Sequence, residues 1–358
     1  MHHVSALPPV VFSADTLRHE PGAEIWVGVR TPGTEVPDRA RVLLEAVQAA
    51  GAEVLGPTAY DDEVLRRVHD PGLLDHLRTV ADDWAAGDYL SLVGQDRVVP
   101  YVFPTPGMLD GLPAHQPTAT HARAGVWCYD TMTLVGPGTW TAARAAVDVT
   151  LTAAALVTDG ARAAYALTRP PGHHATRRAF GGSCYLNNAA VAVEALRKSG
   201  VERVAVVDVD AHHGNGTQAV FWERPDVFYA SLHVDPGAGW FPHFVGYADE
   251  TGVGDGAGST HNAPLPPGSG DDEWLPALHG LVEKVLGWGA RALVVSLGVD
   301  AAGGDPESPL EVTTDGFRVA GSMLAAPGLP TVLVHEGGYD LSRLGMDTIA
   351  VLEAFGDA

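Results

Sequence analysis

Apolar, largely β-branched runs recur along the chain near 10–13, 164–168, 203–207, 227–232, 292–297 and 331–335. Short continuous runs of this kind predict strands covered on both faces. Between them lie segments with helical spacing of apolar positions: VPDRARVLLEAVQAAG (36–51), WTAARAAVDVTLTAAALVTDG (140–160), NNAAVAVEALRKSG (187–200) and DDEWLPALHGLVEKVLGWG (271–289). Three of these close on a glycine and the second on Asp-Gly, which marks helix ends. Strands alternating with helices predict an α/β fold: a single large domain (1–358) with a mostly parallel central sheet and helices on both faces. The Pro- and Gly-rich stretches 90–118, 234–258 and 264–270 predict long loops, so segments near 85–125 and 234–270 are expected to shape the mouth of a site.

Composition narrows the classes. A chain of 358 residues with 46% hydrophobic content can bury a large core. A formal charge of −22 disfavours nucleic acid and anionic membrane as partners and favours small cations. Cys128 and Cys184 are the two cysteines, which rules out a disulfide framework and points to a reducing, cytoplasmic setting. The first residues, MHHVSALPPVVFSAD, lack the basic and long apolar regions of a signal or membrane span. His2 and His3 are assigned no role.

Candidate chemistry collects where the predicted strands end. AVVDVDAHHGN (205–215) runs apolar and then sets out Asp208, Asp210, His212 and His213. TRPPGHHA places His173 and His174 after another strand, VVSLGVDAAGGDP places Asp300 and VLVHEGGYD places Tyr339. The carboxyl ends of parallel strands share one edge, so these groups can converge. Asp210, His212 and Asp300 supply three N/O ligands, the count of a catalytic zinc site that keeps a position open for water. Singly, each residue reads more simply as a turn, cap or hydrogen-bonding group. Their combination favours a metal.

With these residues in place, the chain resembles the histone deacetylase superfamily. RPPGHHA, GGSCYLNNAA, VDVDAHHGNGTQ, SLGVDAAGGDP and HEGGY follow the order of its active-site motifs across 165–345, with weaker likeness through VPDRARVLLEA, CYD and PGTW. GNGTQ, PLPPGSG and VTTDGF are most similar to class II-type deacetylases and bacterial acetylpolyamine amidohydrolases.

The resemblance implies an arginase/deacetylase-like fold with one zinc per chain on Asp210, His212 and Asp300. His173 and His174 are the implied pair beside the reactive water, oriented by Asp208 and Asn215. A neutral amide at 215 should leave His174 less inclined to protonate than a carboxylate would. The same resemblance makes Tyr339 the donor to the substrate carbonyl and Asp130 a rim acceptor for the substrate amide. Phe241 is the implied wall of an acyl-lysine-sized tunnel, opposite Gly182 and Ser183; Ser183 stands where that wall is commonly aromatic, which implies a wider or less apolar tunnel. A structural potassium ion at Asp208, Asp210, His212, Ser231 and the Leu232 carbonyl is likewise implied.

These parts compose an amidase that removes acetyl groups from amines, releasing acetate. A binuclear ureohydrolase of the same fold would need further carboxylates, and GVDAAGGDP lacks an Asp-x-Asp. A non-catalytic member would have lost Tyr339 or a histidine. For the substrate, the acidic chain, together with Glu307 at what the resemblance implies is a rim position held by glutamate in polyamine-selective members, favours a small cationic acetylamine such as an acetylpolyamine over acetyl-lysine in proteins. The acidic pair that bacterial acetylpolyamine enzymes place before PGTW is absent, with His121 and Met132 in that stretch. Glu307 can also be read as a solvated loop residue, and a homo-oligomer is compatible with the sequence.

Overall fold

Eight strands pair in parallel into one twisted sheet in this computed structural model, which describes residues 7–356. In chain order they are β1 (Val10–Val11), β4 (Val54–Leu55), β5 (Ala163–Ala166), β6 (Val204–Asp208), β7 (Val227–Val234), β8 (Thr260–Leu265), β9 (Ala292–Leu297) and β10 (Thr331–His335); β2 (Glu24–Trp26) and β3 (Val29–Thr31) form a separate antiparallel hairpin. The order across the sheet is β4-β1-β5-β10-β9-β6-β7-β8. All seven pairings in it are parallel. His2 and His3 lie outside the described residues.

The sheet is buried on both faces, which explains the continuous apolar runs. Val204 and Val206 join the core that contains Val147 and Val191, from the helices Thr139–Thr158 and Asn188–Lys198. Ala205 and Val207 join the opposite core with Leu278 and Phe317, from the helices Asp271–Trp288 and Thr314–Ala325. A one-residue slip of β6 would exchange these two sets, so its register is strongly specified. Thr139–Thr158 is long and apolar enough to span a bilayer by composition, but 67% of its apolar window is buried inside the protein.

The four expected helices form at Asp38–Ala49, Thr139–Thr158, Asn188–Lys198 and Asp271–Trp288. The stretch expected as loop over 90–118 includes most of the helical turn Tyr89–Val93 and all of the turn Pro106–Leu109. The stretch over 264–270 begins with the end of β8. The hairpin was not expected: its turn residues Val27 and Gly28 have φ of 50° and 80°, the positive-φ pair such a tight turn requires. The site follows from sheet order. β5, β10, β9 and β6 are consecutive neighbours, and each ends in one of the polar clusters.

Candidate active site

Asp210, His212 and Asp300 meet at the carboxyl ends of β6 and β9, with one donor atom from each within 4.8 Å of the others. His212 Nδ1 is 3.3 Å from Asp210 Oδ1 and 3.0 Å from Asp300 Oδ2. The other oxygen of each carboxylate is anchored by backbone: Gly337 N–H donates to Asp210 Oδ2 (2.8 Å) and Ala211 N–H to Asp300 Oδ1 (2.7 Å). His212 Nε2–H donates to the Glu307 carbonyl at 3.0 Å. That bond turns Nδ1 toward the carboxylates, the arrangement that orients a metal-ligating imidazole. Burial opposes a charge on His212, but hydrogen bonding to Asp210 and Asp300 outweighs it and holds its pKa well above the usual range. Burial, with the neighbouring Asp210 carboxylate, pushes Asp300 up to about 7. The point between the three groups therefore favours a cation, and the donor set fits zinc. A Cβ on Gly337 would lie 2.4 Å from Asp300 Oδ2 and 2.5 Å from Asp210 Oδ2, so only glycine lets the β10 loop close on the pair.

The paired histidines sit beside this cluster. His173 Nδ1 is 3.1 Å from Asp208 Oδ2, and His174 Nδ1 is 2.7 Å from Asn215 Oδ1. Their environments drive them apart. Burial disfavours a charged His173, yet the Asp210 and Asp208 carboxylates carry its pKa up to about 10. His174 is held well below the usual range, first by burial and then by repulsion from His173 and His212. The two rings, 4.0 Å apart, thus pair an imidazolium with a neutral base, an arrangement that separates acid and base roles.

The turn that carries them is fixed by Glu336, which the sequence reading did not single out. Gly172 N–H and His173 N–H donate to Glu336 Oε2 at 2.6 and 3.1 Å. Glu336 also groups with His173 and Cys184, but burial drives the Cys184 thiol well above its usual range, against a thiolate ligand there.

Tyr339 lines the same cleft, about 440 Å³ in empty volume, together with His174, Gly182, Ser183, Phe241 and Glu307. Burial raises its phenol well above the usual range, so the hydroxyl keeps its proton. Three backbone contacts hold its loop. Asp305 Oδ2 accepts from Tyr339 N–H (2.7 Å), while the buried Arg39 donates to Gly338 O (2.7 Å) and Glu336 O (2.6 Å). The Arg39 guanidinium lies 4.6 Å from the Tyr339 ring centroid. Phe241 packs edge-on to His174 at 4.7 Å. Across from it Gly182 has φ +56°, and a Cβ there would meet His174 Cδ2 at 2.4 Å and Phe241 Cε1 at 2.8 Å, so this wall must be glycine.

At the mouth, Glu307 Oε1 accepts from Thr34 Oγ1 at 2.7 Å. Glu24, on β2, lines the same cleft. Burial and the Glu307 carboxylate push Glu24 up to about 7. Glu24 carries no mark in the sequence pattern, because nothing there announces the hairpin that holds it. Asp130, expected as a rim acceptor, is bonded by its own loop and by the Gly182 backbone. Its Oδ1 accepts from Met132 and Thr133 N–H, and its Oδ2 from Gly182 N–H and Thr133 Oγ1. All four acceptor positions of the carboxylate are thereby filled, which suits Asp130 to shaping the Gly182–Ser183 wall more than to meeting substrate. Met132 lines the cleft, whereas the Nδ1 of His121 pairs with the Tyr89 hydroxyl at 2.8 Å. Ser231 and Leu232 are buried on β7, with Ser231 in register with Asp208.

A family profile described as "Histone deacetylase domain" matches residues 33–355. The chain is 41% identical to the acetylpolyamine amidohydrolase of Mycoplana ramosa over 345 residues, covering 96% of this chain and 98% of that one. It is 40% identical over 346 residues to acetylpolyamine amidohydrolase 1 of Pseudomonas aeruginosa, with the same coverage of 96% and 98%. Among solved structures, acetylpolyamine aminohydrolase from Burkholderia pseudomallei superposes with a TM-score of 0.90 at 38% identity, covering 97% of this chain and 98% of that one. Sequence, sheet topology and the groups at the strand ends together place the chain in the histone deacetylase family.

Proposed function

We propose that this enzyme is a zinc-dependent amidohydrolase that removes acetyl groups from small amines carrying a second positive charge, acetylpolyamines being the class. One observation carries the reading. The Asp210–His212–Asp300 cluster, the His173–His174 pair and Tyr339 converge at the floor of a cleft whose mouth bears the carboxylates of Glu24 and Glu307. The names of relatives about 40% identical over nearly the whole chain support the same substrate class.

In this reading Asp210, His212 and Asp300 hold the zinc. The bound ion would polarise the acetyl carbonyl and lower the pKa of water toward ~7. His174, neutral and aligned by the Asn215 carbonyl, accepts the proton of the attacking water and returns one to the departing amine, which avoids expelling an amide anion. His173, charged beside Asp208, stabilises the negative charge that develops near it. The Tyr339 hydroxyl donates to the carbonyl oxygen as it becomes an oxyanion, an effect typically contributing about 3–4 kcal/mol. Phe241 and the Gly182–Ser183 wall admit an unbranched chain and exclude water. At the far end of that chain Glu307 and Glu24 receive an ammonium, in a partly dry mouth where pairing exceeds an exposed bridge's ~0–1 kcal/mol.

A potassium ion at Asp208, Asp210, His212, Ser231 and the Leu232 carbonyl belongs to the same proposal, supported by resemblance and by the Asp208–Ser231 register. A reducing, cytoplasmic setting is supported by two free, buried cysteines. The test is kcat/KM of the zinc-loaded enzyme for an acetylated diamine against an uncharged N-acetylalkylamine of equal length and an acetyl-lysine peptide. At least a tenfold preference for the diamine is expected, reduced by Glu307→Leu. Equal turnover of charged and neutral amides contradicts the substrate class, and a preference for the peptide makes the enzyme a protein deacetylase.

A further inference from the structure

The GNGTQ motif supplies Asn215 to His174, but its last residue faces a different neighbourhood. Gln218 is buried, and its Oε1 accepts from Asn262 Nδ2 (2.8 Å) and lies 3.0 Å from His213 Nε2. Its Nε2 donates to Glu250 Oε2. A carboxylate accepts and does not donate, so this contact fixes which way the amide of Gln218 points. Both oxygens of Glu250 in turn accept from Gly246 N–H, at 3.1 and 3.0 Å.

Gly246 is held from the other side as well. Its carbonyl accepts from His233 Nε2 at 2.8 Å, and a Cβ on it would lie 2.7 Å from the His213 ring. The Tyr247 carbonyl accepts from Asn262 Nδ2 (3.2 Å), and the Tyr247 hydroxyl donates to His243 O (2.8 Å). Gly246 is thus a buried pin in a loop that is otherwise largely open, with Phe244 89% exposed. Five residues before the pin stands Phe241, which stacks on Tyr129 at 6.3 Å and meets His174 edge-on at 4.7 Å.

We infer that Gln218 and Glu250 are positioning residues that set where Phe241 stands, and so the width of the tunnel offered to the amine chain of the substrate. The inference rests on the proposed amidohydrolase function and adds a shape filter to it. The pair works because one side is an amide and the other a carboxylate. Glu250→Gln leaves one acceptor oxygen where there were two, so the new NH2 lies either against the Gln218 Nε2 donor or, turned the other way, against the Gly246 N–H donor. The loop base is then released while the metal cluster, the histidine pair and Tyr339 keep their contacts.

The test compares two acetylated diamines of equal charge, one straight and one with a methyl branch beside the amide. In Glu250→Gln, KM for the straight amide should rise about fivefold with kcat within twofold, and discrimination against the branched amide should fall at least threefold. Gln218→Glu combined with Glu250→Gln restores one carboxylate facing one amide and should return both quantities to within twofold of the parent. Should Glu250→Gln fail to fold, Tyr247→Phe removes only the surface hydroxyl that holds His243 O and should shift the same ratio in the same direction. An unchanged straight-to-branched ratio, a loss of kcat at constant KM, or a double variant that stays at the single variant's ratio overturns the inference alone. A parent enzyme that cleaves neither amide overturns the amidohydrolase reading and this inference with it.

Discussion

The pH dependence of cation selectivity follows from one carboxyl group. Burial and the Glu307 carboxylate hold Glu24 up to about 7, so it is largely protonated in mildly acidic solution and ionised above neutrality. An ammonium seated at Glu24 and Glu307 needs the ionised form, which links substrate binding to loss of that proton. The ionised fraction is about nine-tenths at pH 8 and about one-tenth at pH 6, and one pKa unit corresponds to about 1.4 kcal/mol. The ratio of kcat/KM for an acetylated diamine to that for an uncharged acetylamine of equal length should therefore rise about tenfold from pH 6 to pH 8. The diamine's ammonium, like that of lysine with a pKa of about 10.4, keeps its charge over this range. Taking the ratio cancels the titration of His174 and of any group common to both substrates. Glu24→Gln should flatten the ratio, leaving it near the parent's pH 6 value throughout. A flat ratio in the parent, or a slope that survives Glu24→Gln, refutes the reasoning.

Asp300→Ala should abolish zinc retention and turnover together, read by elemental analysis beside an acetate assay, because an incomplete ligand set cannot hold the ion. Tyr339→Phe should retain the metal and lose about 10²–10³-fold in kcat; normal kcat with normal zinc would remove the hydroxyl from the mechanism. Asn215→Asp should favour the charged form of His174 and move the acidic limb of the kcat–pH profile upward, and an unmoved limb would show that His174 is not the base. Arg39→Met strips the buried Glu35 of one of its two arginine partners, Arg39 at 3.0 Å and Arg169 at 2.9 Å. It should cost about 3–5 kcal/mol in urea unfolding, and an unchanged midpoint would deny the pair a structural role.

What the sequence made legible follows from burial and periodicity. The strand Val204–Asp208 is apolar on both faces because both faces are covered, and its polar sequel falls at the sheet edge where four neighbouring strands end. Hence Asp210, His212, Asp300, His173, His174 and Tyr339 could be brought together on paper. β8 could not be seen, since THNAPL carries no apolar run and, among the described residues, pairs in the sheet only with β7. The hairpin was hidden because its turn is Val-Gly, without the Asn or Asp that usually announces a positive-φ pair. With it went Glu24 and Thr34, the latter bonded to Glu307 across 273 residues of sequence. Arg39, Glu336 and Glu250 act through backbone contacts that leave no mark in spacing. Asp130 carried a readable sign: an Asp followed by Thr-Met-Thr is suited to bonding the backbone N–H groups two and three residues on, as it does here.

The central claim, that Asp210, His212 and Asp300 hold a single ion on which amide cleavage depends, is tested by titrating chelator-stripped enzyme with zinc while following acetate release from an acetylated diamine. Activity should be absent without metal, rise linearly, and reach its plateau at one ion per chain. Full activity in the stripped enzyme, or a plateau only at two ions per chain, would contradict it.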